Sequence, residues 1–138
     1  MTQPTPIAII GAGKIGETIV ALLLETGDYS VTLIDASAET LNQFEEHPLL
    51  KLVQQDVQDA PMLEKSMAGH FAVLSSTPFF LTKVIAQAAL NVGCHYLDLT
   101  EDVNSTDFVR EIAKTAKSAF IPQCGLAPGF ISIVTQHI

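Results

Sequence analysis

Positive charge is scarce in this chain. Seven Lys and Arg stand against fifteen Asp and Glu, the formal net charge is -8, and Arg110 is the only arginine. A surface of that sign repels phosphate backbones and anionic headgroups, so neither nucleic acid nor a membrane is an expected partner. Cysteine is nearly missing as well. Cys94 and Cys124 are the only two, each in apolar, strand-like surroundings, which argues against a disulfide framework and predicts two buried thiols. No apolar run approaches the roughly eighteen residues of a membrane-spanning helix. His47, His70 and His137 are scattered with no HxxxH or CxxC spacing, so no zinc site is predicted, and no catalytic triad is visible. Repeats, low-complexity segments and linkers are missing too, which leaves residues 1–138 as one domain. The opening Met1-Thr2-Gln3-Pro4-Thr5-Pro6 has neither the basic region nor the apolar core of a secretion signal, so a cytoplasmic location is expected.

What the chain does have is apolar material in short, regular pieces. Hydrophobic residues make up 48% and charged residues 16%, a balance suited to strands covered on both faces by helices. Six apolar runs read as strands: 7–10, 31–34, 50–53, 71–74, 95–97 and 119–121. Helical patterns lie between them over 14–25, 38–46, 60–67, 79–91 and 105–118. Strict alternation of this kind predicts an α/β fold, a doubly wound parallel six-stranded sheet with right-handed crossovers and strand order 3-2-1-4-5-6. In such a sheet ligands bind beyond the carboxyl ends of the strands, where the order reverses between the first and fourth.

The first strand runs straight into Gly11-Ala12-Gly13-Lys14-Ile15-Gly16, and the second ends in Asp35 about twenty residues on. Together these make the dinucleotide fingerprint of a Rossmann fold. Gly11 allows the tight turn, Gly13 lets the backbone approach a pyrophosphate, and Gly16 lets helix pack on strand. The amides around Lys14 and Ile15 open the helix, supplying free donors and the positive end of its dipole. Three glycines at this spacing also occur in ordinary strand-to-helix turns; the flanking apolar strand and helix are what give them weight here. Asp35 is placed to accept both adenosine ribose hydroxyls and to repel a 2′-phosphate, which favours NAD over NADP, and no guanidinium stands near it in sequence. The competing role for Asp35 is to cap the next helix, which Ser37 could do instead.

The other strand ends supply further candidates. Asp56 and Val57 follow the third strand, where a carboxylate could take the adenine amino group while the valine packs on the ring; an exposed turn aspartate is the alternative. Ser75, Ser76, Thr77 and Pro78 follow the fourth and combine small donors with a helix-start signal. After the fifth come His95-Tyr96-Leu97-Asp98-Leu99-Thr100-Glu101-Asp102, and after the sixth Cys124-Gly125-Leu126-Ala127-Pro128-Gly129-Phe130.

These last two segments together resemble the saccharopine dehydrogenase and lysine dehydrogenase family, and the resemblance covers nearly the whole chain. It implies an NAD(P)-binding first domain, a second domain holding most of the amino-acid substrate site, and a homodimer. It also implies oxidation of a C–N bond in a lysine-derived amino acid by hydride transfer to nicotinamide, the imine then being hydrolysed by water. The sequence ends at Ile138, just past the Pro-Gly turn, so this chain is expected to be the cofactor domain of a longer enzyme. Within it the candidates for catalysis are Asp98, Thr100 and His95, with Glu101 and Asp102 as alternative helix caps, although a histidine at a strand start such as His95 is more often structural. Two other classes share the glycine turn: a regulatory NAD(H)-sensing module without catalysis, and a methyltransferase using S-adenosylmethionine, which the x-x-Gly spacing disfavours.

Overall fold

The computed structural model describes residues 3–124. Its six strands are β1 (Thr5–Ile10), β2 (Tyr29–Asp35), β3 (Leu50–Gln54), β4 (Ala72–Ser75), β5 (His95–Asp98) and β6 (Phe120–Ile121). All are parallel neighbours in the order β3-β2-β1-β4-β5-β6, the topology expected from the sequence. Five helices join them: α1 (Lys14–Thr26), α2 (Ala38–Leu41), α3 (Ala60–Met67), α4 (Thr82–Val92) and α5 (Val103–Ala113). A single 3-10 turn, Phe79–Leu81, leads into α4.

The helices divide between the two faces of the sheet, and each face has its own core. Val20 of α1 and Leu41 of α2 pack with Ile7, Ile9, Val31 and Leu33 on one side. On the other, Leu63 and Met67 of α3, Ile85 and Ala89 of α4 and Val109 of α5 pack with Ala8, Ile10, Ile34 and Val73. Alternate residues of β1 therefore serve opposite cores, which is why that strand reads as an unbroken apolar run. Ile9, Ile10, Leu33 and Ile34 are all fully buried, each contributing about 1.5–3 kcal/mol relative to an exposed side chain.

Some boundaries differ from those read in the sequence, each for a local reason. The second helix stops at Leu41 instead of Glu46, because the amides of Gln43 and Phe44 turn back to the carbonyls of Thr40 and Leu41 and Phe44 swings onto the α1 core. The last helix begins at Val103, not Ser105, because Asp102 caps it by accepting from the Ser105 amide at 2.8 Å. It ends at Ala113, where Lys114, Thr115 and Ala116 close tighter turns. Phe71 lies outside β4 and is exposed. Of the two thiols expected to be buried, Cys94 is, whereas Cys124 is only half-buried beyond the short edge strand β6. The Pro-Gly turn around Pro128 and Gly129 lies outside the described residues.

Candidate functional site

The carboxyl ends of β1 to β4 meet at the glycine turn. Gly11 has φ +103°, a backbone setting that side chains resist, and a Cβ there would lie 2.8 Å from the Ser76 carbonyl oxygen. Gly16 is more constrained still: a Cβ would sit 1.9 Å from the carbonyl oxygen of Gly11. These two glycines are demanded by the protein's own packing. Ser76 completes the lock from β4, donating its hydroxyl to the carbonyls of Ile10 and Gly11 at 3.1 and 2.9 Å and its amide to Ile10 at 2.8 Å.

Gly13 is different. Its φ of -71° and ψ of -170° suit any residue, and beyond its chain neighbours nothing lies within 4 Å of where its Cβ would be. It caps α1 with no side chain, so the first-turn amides of that helix lack a side-chain acceptor. Bare backbone facing open space at the positive end of a helix is the arrangement that receives a phosphate. Lys14 and Ile15, the next two residues, are exposed there.

Asp35 stands opposite at the end of β2. One carboxylate oxygen accepts from the Ala12 amide at 2.7 Å and the other from the Ser37 amide at 2.8 Å. The helix cap of α2 is Ser37, whose hydroxyl accepts from Thr40 at 3.2 Å. Asp35 is therefore a clamp between the glycine turn and the β2 loop, and each of its oxygens keeps a further lone pair for a ligand hydroxyl.

Gly11, Gly13, Asp35, Asp56, Val57, Ser76, Thr77 and Pro78 all border one cavity of about 360 Å³. Asp56 closes its own turn by accepting from Gln58 at 2.9 Å, while Val57 is buried in the core beneath. Ser75 is buried and shares a hydrogen bond with Thr77 at 2.8 Å, beside the cavity but not on its wall. An uncapped glycine turn, a carboxylate and apolar side chains thus share one cavity across four strand ends. That donor set fits a dinucleotide.

The β5 end is built differently. Asp98 is 1% exposed, and its carboxylate accepts from the Tyr96 hydroxyl at 2.7 Å, the Gln123 amide at 2.9 Å and the Thr100 amide at 3.1 Å. Its carbonyl accepts from Cys124 at 2.7 Å. Burial, and then the neighbouring Asp98, push the ionisation of the Tyr96 hydroxyl far above its ordinary value, so that hydroxyl stays a donor. Burial and the Asp98 carboxylate likewise raise the Cys124 thiol. Gln123 takes φ +61°, the one positive φ outside glycine among the described residues, and the bond to Asp98 holds it there. The Thr100 hydroxyl accepts from Asp102 at 3.2 Å, and hydrogen bonds from Ser105 hold the Asp102 carboxyl below its usual range. His95 is not brought together with Asp98 and Thr100. It opens β5 at the end of the sheet away from the cavity, its Nδ1 accepts from Ala119 at 2.9 Å, and its ring packs edge-on against Phe71.

Residues 7–121 match the family model described as the saccharopine dehydrogenase NADP binding domain. The chain belongs to that family. Among solved structures, the domain superposes on saccharopine dehydrogenase (L-Glu forming) from Saccharomyces cerevisiae with a TM-score of 0.85 at 17% identity, covering 95% of this chain and 29% of that one. It thus spans under a third of that enzyme's length. A short-chain dehydrogenase/reductase from Veillonella parvula, solved with NADP, matches at a TM-score of 0.64 and 14% identity, over 86% of this chain and 67% of that one. WbmH from Bordetella bronchiseptica, solved with NAD+, matches at 0.62 and 19%, over 86% and 54%. At these identities the likenesses establish the Rossmann fold. No curated protein sequence matches the chain.

The sequence did not single out Phe80 and Leu81, which also border the cavity. The available signal was two consecutive phenylalanines directly after a strand-end Thr-Pro, more apolar surface than a helix start needs.

Proposed function

We propose that this domain binds NAD(H) in preference to NADP(H) and serves an oxidoreductase that oxidises a C–N bond of a lysine-derived amino acid. Gly13 carries the cofactor half of this reading: the protein itself gives no reason for a glycine there, and a pyrophosphate does. A bound nicotinamide would supply the hydride acceptor for oxidation of that bond. The work of this chain is to hold and orient. The first-turn amides of α1 face the phosphates, Asp35 accepts from the adenosine ribose hydroxyls, and Asp56 and Val57 meet the base. The family description names NADP, but the Asp35 charge would repel a 2′-phosphate and Ala36 and Ser37 offer nothing to neutralise it.

Asp98 and Thr100 are assigned to holding the loops after β5 and β6, because the Asp98 carboxylate accepts from two amides and the Tyr96 hydroxyl, and the Thr100 hydroxyl from the Asp102 amide. The proton acceptor for the reaction is placed outside residues 3–124. The amino-acid substrate is assigned mainly to a second domain, with a homodimer as the working assembly and the cytoplasm as its location.

Titration calorimetry tests the cofactor half. NADH is expected to bind more tightly than NADPH, and Asp35→Ala to lose about 1.5–3 kcal/mol of NADH affinity, the worth of hydrogen bonds to a charged group. Equal affinity for the two cofactors removes the ribose role of Asp35. At a hundredfold excess over Kd, NADH should raise the melting temperature by roughly 8 °C; no rise at all removes the cofactor reading.

A further inference from the structure

The 3-10 turn after β4 carries three large apolar residues, Phe79, Phe80 and Leu81. Successive side chains in such a turn point about 120° apart, so only one can enter the core. Leu81 does so, packing against the cluster that includes Val57. The two phenylalanines are left outside, Phe79 at 56% and Phe80 at 65% exposure, and they meet edge to face with centroids 6.1 Å apart. Their surroundings differ. Phe79 accepts from the Ser105 hydroxyl through its carbonyl at 3.3 Å and borders a recess with Lys83, Asp102 and Asn104. Phe80 touches that recess as well but also forms part of the wall of the dinucleotide cavity, which Phe79 does not.

We propose that Phe80 is a base-binding residue whose ring packs on the purine of the bound nucleotide, with Val57 and Leu81 as the apolar floor beneath. The proposal rests on the cofactor reading above and adds to it a recognition element for the base alone. The cavity wall is chemically mixed. It combines the amides and hydroxyls of Gly11, Gly13, Ser76 and Thr77 and the carboxylates of Asp35 and Asp56 with the apolar side chains of Ala36, Val57, Phe80 and Leu81. A flat aromatic heterocycle is the part of a dinucleotide that gains from apolar faces. A phenylalanine two-thirds exposed gains little in the protein alone, and its place in the cavity wall puts that exposed ring within reach of a ligand.

Binding of AMP and of NADH to the 138-residue chain, measured by calorimetry, tests this. Phe80→Ala is expected to weaken both by about tenfold, the usual effect of removing an aromatic platform from a base. Phe80→Tyr should keep both affinities within about twofold, and Phe79→Ala should do the same, since that ring does not reach the cavity. Because the side chain is largely exposed, the melting temperature of each variant should stay close to that of the parent. Unchanged AMP affinity in Phe80→Ala overturns the proposal while leaving the cofactor reading intact. An equal loss in Phe79→Ala also overturns it, since the effect would then belong to the turn and not to one ring. A parent chain that binds neither ligand removes both.

Discussion

Gly13 and Gly16 lie three residues apart and are glycines for opposite reasons. At Gly16 any Cβ collides with the carbonyl of Gly11, so Gly16→Ala must push α1 off the turn. About 3 kcal/mol or more of stability should be lost, visible as a lower urea midpoint. At Gly13 the backbone is ordinary and the space is empty. Gly13→Ala should leave stability unchanged or raise it by about 0.4–1 kcal/mol through the unfolded chain, while weakening NADH binding by roughly tenfold, as a methyl group occupies the phosphate's approach. Both glycines belong to the fingerprint and were visible in the sequence together. The fingerprint also assigned them separate duties; what it could not give is the contact a Cβ would make at each, which only the coordinates show.

The carboxyl end of β5 works as an element through Asp98, which ties its own strand to the Gln123 end of β6. Asp98→Ala leaves three donors without their acceptor and should cost about 3 kcal/mol or more, with faster hydrogen exchange at the Thr100 and Gln123 amides. Asp98→Asn is milder, about 1.5 kcal/mol, since the amide oxygen can serve the two backbone donors while its nitrogen donates to Tyr96. If both variants exchange like the parent, Asp98 does not hold this corner. The doubly wound sheet was readable from the alternation of apolar runs with helical patterns, most plainly at β1, whose last four residues are all buried. Helix ends were less so: α2 stops early because Phe44 finds a tertiary partner, and propensity contains no information about that partner. The role of Asp98 was hidden for a similar reason. A carboxylate after a strand looks the same in sequence whether it meets a ligand or three donors from its own chain.

For the molecule as a whole, the buried groups set how stability responds to alkali. Burial pushes the Cys94 thiol up from 9.0 to about 11. The folded state therefore keeps its proton where the unfolded chain releases it. The associated stability is complete below pH 9 and disappears as the pH climbs towards 11, a loss on the order of 2 kcal/mol. The Tyr96 hydroxyl, also raised, acts with the same sign above about pH 10. Under reducing conditions the urea midpoint should fall between pH 8 and pH 10.5, and Cys94→Ala should fall less steeply than the parent. Parallel curves would mean that the thiol ionises as freely folded as unfolded.

The two short bonds from Asp35 to the amides of Ala12 and Ser37 bear on how this domain could change its coenzyme. On the cofactor preference proposed above, the carboxylate that rejects a phosphorylated ribose also pins the loop that shapes the pocket, so swapping it for a small or basic residue discards architecture along with selectivity. A switch of preference should thus demand at least one companion substitution that re-anchors Ala12, which makes the trait slow to drift and hard to engineer by a single exchange.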